Sequence, residues 1–177
     1  GLGDVYKRQK PMSQRTYGFL LAFFATAFAG SAALLLWYGV KSHRQAAVYG
    51  RLAAAVQRAD PTPTQAGEVT PPDEYRALSE ENPDMVGWIR IDGTDIDYPV
   101  VQRVDEPNYY LKHDFAGRYT DFGCPFAQEN CDVQAPSDNV ILYGHNMKDG
   151  SMFSDLVRYQ SRSFWETHRT IHFDTLT

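Results

Sequence analysis

The sequence predicts a mainly β domain with short helices, preceded by an N-terminal transmembrane helix. Three observations carry that prediction. The 24 residues from Tyr17 to Val40 contain no charged side chain. The stretch "VGWIRIDGTDIDYPVV" alternates, breaks at Asp92-Gly93, and alternates again, which is a hairpin signal. Further on, strand-like "NVILYG" and "RTIHFDTLT" flank a segment with apolar residues at Met152, Phe153, Leu156, Val157 and Tyr159, a helical spacing.

Taken in order, the chain opens with "GLGDVYKRQ", which is unlike the rest of the chain and resembles a translated sequencing-adapter fragment. Residues 1–11 are therefore read as a non-native leader, with Met12 as the natural start. Residues 17–40 are read as a transmembrane signal anchor. As a helix they span about 36 Å, enough to cross a bilayer with some tilt. Trp37 and Tyr38 suit its interfacial end. Ala27-Phe28-Ala29 before Gly30 also fits a signal-peptidase site, so a cleaved signal peptide is the competing reading. The apolar run continues through "ALLLWYGV" past that site, which favours an uncleaved anchor. Basic residues lie on both sides of the span, so charge does not fix its orientation.

Residues 41–72 read as a helical stalk followed by a linker. "KSHRQAAVYGRLAAAVQRAD" is Ala-rich, and the four prolines of "PTPTQAGEVTPP" favour an extended spacer. The globular part is expected from Asp73. A short helix opens it, with Asp73 and Glu74 at its positive end and Pro83 after it. "NYYLKHDF" fits a strand or a short helix, and "GCPFAQEN" fits a strand. The last strand-like run has no candidate partner after it.

Charge narrows the function classes. The net charge of −5 divides into +5 over residues 1–72 and −10 over residues 73–177. An acidic globular half excludes nucleic acid as the expected partner, because phosphate binding needs a positive surface. The basic flanks of the apolar run suit a membrane surface.

Among the chemistry-bearing residues, His145 stands where a strand breaks into a loop, after Gly144. A strand end is a rigid support, and a neutral imidazole can move protons near neutral pH. A turn histidine with no chemistry has the same spacing. The only two cysteines, Cys124 and Cys131, allow a nucleophile, a disulfide across a short loop, or free thiols. His168 and His172 are four apart, but Thr170 and Ile171 start a strand between them, which separates the rings. Asp92, Asp95 and Asp97 lack the spacing of a calcium loop and read as a solvated strand face. No cofactor and no metal site are expected.

The segments "NPDMVGWIRIDGTDIDYPVVQ", "NYYLKHDF", "NVILYGHNMKDGSMFSDL" and "FWETHRTIHFD" together resemble class B sortases, in that family's order and at its approximate spacings. The resemblance covers about residues 73–177 and implies the N-terminal part of a sortase catalytic domain, a sortase-type β-barrel that is incomplete here. It implies a cysteine transpeptidase on the outer face of a Gram-positive-type cell, held by a single-pass anchor. In such enzymes a Cys thiolate attacks the Thr carbonyl of a sorting signal, commonly of the Asn-Pro-x-Thr kind. A cell-wall amine then resolves the thioester, and a histidine moves the protons. The implied partners are surface proteins carrying a C-terminal sorting signal, the amine of a peptidoglycan precursor or cross-bridge, and the membrane. The Y-G-H histidine maps onto His145, a position beside the active site onto Tyr143, and a groove position onto Asn108.

One departure from the family is large. The nucleophile of these enzymes lies in a T-L-x-T-C motif on a later strand, and an arginine follows it. The closing "DTLT" follows "HRTIHF" directly and is not that motif, and Cys124 precedes the histidine. The chain is therefore expected to be an inactive fragment, unstable alone. Two other readings remain open: a non-catalytic extracellular β-domain acting as a binding module, and a cysteine hydrolase using Cys131 with His145.

Overall fold

The computed structural model describes residues 12–56, 73–135 and 139–176. The leader 1–11 and the Pro-rich linker lie outside the described residues. The chain divides into two compact units, one reaching His43 and the other comprising Arg44–Thr177.

The first unit is the N-terminal part of helix α1 (Gln14–Val56). No proline interrupts it, and its Ala- and Leu-rich composition favours helix. Its apolar side chains are outward and unpacked, with Phe28 77% and Leu35 74% exposed. Its hydroxyls are satisfied within the helix: Thr26 Oγ1 donates to the Ala22 carbonyl at 2.8 Å and Ser31 Oγ to the Ala27 carbonyl at 2.9 Å. By length and composition this helix is a candidate membrane span.

The second unit begins on the same helix. The stretch read as a stalk is helical as far as Val56, and there it buries Gln45, Tyr49 and Leu52. Helix α2 (Asp73–Glu81) follows the linker. Tyr75 of α2 stacks on Trp88 with ring centroids 6.1 Å apart, and its hydroxyl donates to Asp174 at 3.1 Å.

The sheet has five strands in the order β4-β3-β2-β1-β5. Strands β1 (Met85–Arg90) and β2 (Asp97–Val101) form the expected antiparallel hairpin, with Trp88 opposite Pro99 and Arg90 opposite Asp97. The Ile91 N–H donates to the Ile96 carbonyl at 3.0 Å and closes the turn around Asp92-Gly93. β3 (Phe126–Ala127) runs parallel to β2 and meets it at Val101. β4 (Leu142–Tyr143) is antiparallel to β3, with Phe126 opposite Tyr143. β5 (His172–Thr175) turns back to pair with β1, Gly87 opposite Thr175, so the final strand finds its partner earlier in the chain.

The sheet is thus mixed and the barrel is not closed; β4 and β5 are its two edges. The strands are shorter than the sequence pattern implies. "NVILYG" contributes only Leu142 and Tyr143; the Ile141 carbonyl still accepts from the Gln128 N–H at 2.9 Å, but the Ile141 N–H turns to Cys131 Sγ instead of continuing the ladder. "NYYLKHDF" resolves into a 3-10 helix, Tyr109–Leu111. The segment after Met152 becomes a 3-10 helix, Ser154–Gln160, and helix α3, Arg162–Thr167. Neither of these buries a residue, whereas Trp88, Ile91, Ile96, Val100, Val101, Phe115 and Phe122 are almost fully enclosed. The core therefore sits under β1, β2 and the loops between β2 and β3.

Candidate functional site

His145 lies just past β4, half-buried. Two backbone features fix its loop. The Phe153 N–H donates to the His145 carbonyl at 2.8 Å, and Asn146 bridges Met152 across the loop. Gly144 lets this happen: a Cβ there would meet the Phe153 ring at 2.6 Å. Ser154 Oγ donates to the Met147 carbonyl at 2.7 Å and closes the base of the loop.

The His145 ring is oriented from the other side by the 3-10 helix Tyr109–Leu111. His145 Nε2 is 2.8 Å from the Leu111 carbonyl. A carbonyl can only accept, so Nε2 carries the proton and Nδ1 holds the free lone pair of the neutral ring. That 3-10 helix is itself anchored. Tyr110 is buried and donates to Asp84 at 2.7 Å. Arg103 pairs with the same carboxylate at 2.6 Å and lies over the Tyr109 ring at 3.8 Å. Asn82 Nδ2 donates to the Phe115 carbonyl at 2.8 Å. The imidazole is therefore held by a rigid carbonyl rather than by a mobile side chain.

Asn108 caps the N-terminal end of this 3-10 helix in the left-handed region, with φ 64° and no side-chain cap bond. The structure thus brings its element to His145 through Leu111. Tyr143 is exposed on the edge strand, two residues before His145, and its ring packs on Phe126 at 5.3 Å.

Both cysteines are free. Cys124 is buried, with Sγ directed to the Pro99 carbonyl at 3.7 Å, and burial pushes its thiol up to about 12. Such a group stays a thiol at neutral pH and is a poor nucleophile. Cys131 Sγ is 3.6 Å from the Asn139 carbonyl and accepts from the Ile141 N–H at 3.2 Å. Neither sulfur is hydrogen-bonded to His145, which removes the geometric basis for a Cys131–His145 pair.

His168 caps α3, with Nδ1 beside the Phe164 carbonyl at 2.9 Å, while His172 faces Asp92 at 3.5 Å. Asp97 accepts from the Trp88 indole at 2.7 Å, and Asp155 accepts from the Asp95 N–H at 2.8 Å. No group of His, Cys, Asp and Glu able to hold a metal occurs among the described residues. Sequence reasoning missed Tyr49, Tyr98 and Gly123, which surround the His145 loop. Only the isolated glycine before Cys124-Pro125 gave a local signal.

No family model matches the chain. Sortase B of Listeria monocytogenes is 42% identical over 109 residues, which are 62% of this chain and 43% of that protein. A Bacillus anthracis protein described as similar to sortase B superposes with a TM-score of 0.68 at 34% identity, covering 76% of this chain and 62% of that one. A Staphylococcus aureus sortase B–substrate complex gives 0.68 at 30% identity, covering 77% and 61%. The chain spans less than half the length of the Listeria protein that it matches. Over the part that matches, the chain is similar in sequence and in fold to class B sortases.

Proposed function

We propose that the chain supplies the histidine-bearing part of a membrane-anchored sortase, a cysteine transpeptidase that joins surface proteins to a cell-wall amine. The observation that carries this reading is the His145–Leu111 hydrogen bond, which leaves Nδ1 free on a half-buried, rigidly supported ring. In the reaction, a Cys thiolate attacks the Thr carbonyl of a sorting signal and the peptide C–N bond breaks. Nδ1 of His145, having taken the thiol proton when the thiolate formed, gives that proton to the departing amine, and the acyl group remains as a thioester. The incoming amine then loses a proton to His145 as it displaces the thiolate. On this reading Tyr143 and Asn108 line the substrate groove. On this reading residues 17–40 of the apolar helix supply the single-pass anchor, and the acidic globular unit faces the cell exterior.

Cys124 and Cys131 do not take the part of the nucleophile, because one is buried as a thiol and the other is tied to the Asn139–Ile141 backbone. On this reading no transpeptidation is expected from these 177 residues alone. The test is to read the parent gene past Thr177 and assay both products with an Asn-Pro-x-Thr peptide and an oligoglycine amine. The expected result is a T-L-x-T-C segment with an arginine after it. Transpeptidation is expected only from the longer product, and His145→Ala should lower it by about 100-fold or more. Turnover by the 177 residues that depends on Cys131 would overturn the reading. A frame without the motif would favour a non-catalytic binding module.

A further inference from the structure

We infer that Tyr49, on helix α1, and Tyr98, on β2, are positioning residues for His145, acting from beneath through Gly123 and Met152. The inference rests on the reading of His145 as the proton shuttle, and it extends the site to a helix that lies before the sortase-like segments. The two tyrosines are buried and meet edge to face, with ring centroids 5.3 Å apart at 85°. Tyr98 directs its hydroxyl to the backbone of the His145 loop, and Tyr49 directs its hydroxyl to the Gly123 backbone beneath the ring.

Tyr98 Oη accepts from the Met152 N–H at 3.1 Å in a buried setting. Met152 is almost fully enclosed and has φ 57°, a conformation that costs a side-chain-bearing residue on the order of 1 kcal/mol or more. Met152 is also the residue that bridges Asn146, next to His145. The Tyr98 hydroxyl therefore satisfies an N–H that the strained backbone would otherwise leave buried and unpaired.

Tyr49 Oη donates to the Gly123 carbonyl at 2.7 Å. Gly123 has φ 64°, and a Cβ there would meet the Tyr110 carbonyl at 2.5 Å, the Leu111 carbonyl at 2.9 Å and His145 Cδ2 at 3.2 Å. It is thus the floor on which both the imidazole and its hydrogen-bond acceptor rest. One aromatic pair fixes the two sides of the His145–Leu111 contact together, so the ring orientation depends on helix α1.

The test uses the full chain in detergent micelles. The ring 15N and 1H resonances of His145 are identified by their loss in His145→Gln. Wild type should show the Nε2-protonated neutral ring. Tyr98→Phe and Tyr49→Phe keep the aromatic packing, and each should shift those resonances. Tyr98→Phe should also speed exchange of the Met152 amide on the order of ten-fold. Tyr159→Phe is the control, because its hydroxyl serves only the His168 carbonyl, at 2.8 Å. Unchanged His145 resonances in both Tyr49→Phe and Tyr98→Phe, or an equal shift in Tyr159→Phe, would overturn the inference. If Tyr98→Phe does not fold, Tyr49→Phe decides alone. The readout does not need turnover. An active His145→Ala parent enzyme would remove the proton-shuttle reading and leave the positional link, whereas silent tyrosine variants would do the reverse.

Discussion

The His145 imidazole and the Leu111 carbonyl, 2.8 Å apart, are held in contact above a glycine. Gly123 has φ 64°, and both backbone carbonyls of Tyr110 and Leu111 stand within 3 Å of where its Cβ would be. Backbone cannot swing aside as a side-chain end can. Gly123→Ala is therefore expected to cost about 2–4 kcal/mol, combining left-handed strain with a steric shift. Gly50 is the contrast. It lies in helix α1 with nothing within 4 Å of its Cβ position, so Gly50→Ala should stabilise by about 0.5–1 kcal/mol. Denaturant unfolding of the two variants checks the difference in sign; a neutral Gly123→Ala would show that the floor beneath His145 is soft.

The two cysteines should separate cleanly in a labelling experiment. Cys131 is half-buried and carries the accessible thiol, whereas Cys124 is enclosed and its thiol is raised to about 12 by burial. With iodoacetamide near neutral pH, Cys131 is modified first and Cys124 only as the fold opens. The rates should differ on the order of 100-fold or more, read by mass spectrometry of the digested chain. Equal rates would contradict the burial of Cys124, and oxidative formation of a Cys124–Cys131 bridge without unfolding would contradict the free-thiol state.

Much of the fold was legible because its signals are local. The β1–β2 hairpin follows from alternation around Asp92-Gly93, and the long apolar helix follows from the uncharged run at 17–40. What was not legible depends on pairings between distant residues. Nothing near Leu142 says that only two residues there find a partner strand, or that β5 returns to β1. His145 was visible as a strand-end histidine. Its proton location was not, because that is set by Leu111, 34 residues away. Tyr49 looked like one aromatic in an Ala-rich stalk; only the fold shows its hydroxyl reaching Gly123.

Because Leu52 is 1% exposed within the second unit, helix α1 contributes to that unit's core and not only to an anchor. Leu52→Ala should lower the stability of the globular unit by about 2–5 kcal/mol. Leu36 belongs to the first unit and is 71% exposed, so Leu36→Ala should leave the globular transition in micelles unchanged. Near-UV circular dichroism on heating reads the transition of the packed tyrosines and tryptophan. A Leu52→Ala variant that melts like wild type would return residues 44–56 to the role of a detached stalk.

Alkaline pH should destabilise the globular unit. Burial raises the Cys124 thiol from 9.0 to about 12 and the Tyr98 phenol from 10.0 to about 12. Both groups are neutral when protonated, and the fold holds them in that form. Below their ordinary values, folded and unfolded chains bind these protons equally, and the stabilisation is fully present. Above about 9 the unfolded chain releases protons that the folded chain keeps, so stability falls as pH rises toward about 12. Cys124→Ala removes the first of these groups. In that variant the decline should begin about one pH unit later, where the buried tyrosines, Tyr49, Tyr75, Tyr98 and Tyr110 among them, remain. Melting temperatures measured from pH 7 to 11 for wild type and Cys124→Ala test this. A wild-type curve that is flat across the window, or one that Cys124→Ala leaves unshifted, would show that Cys124 does not sit protonated in the core.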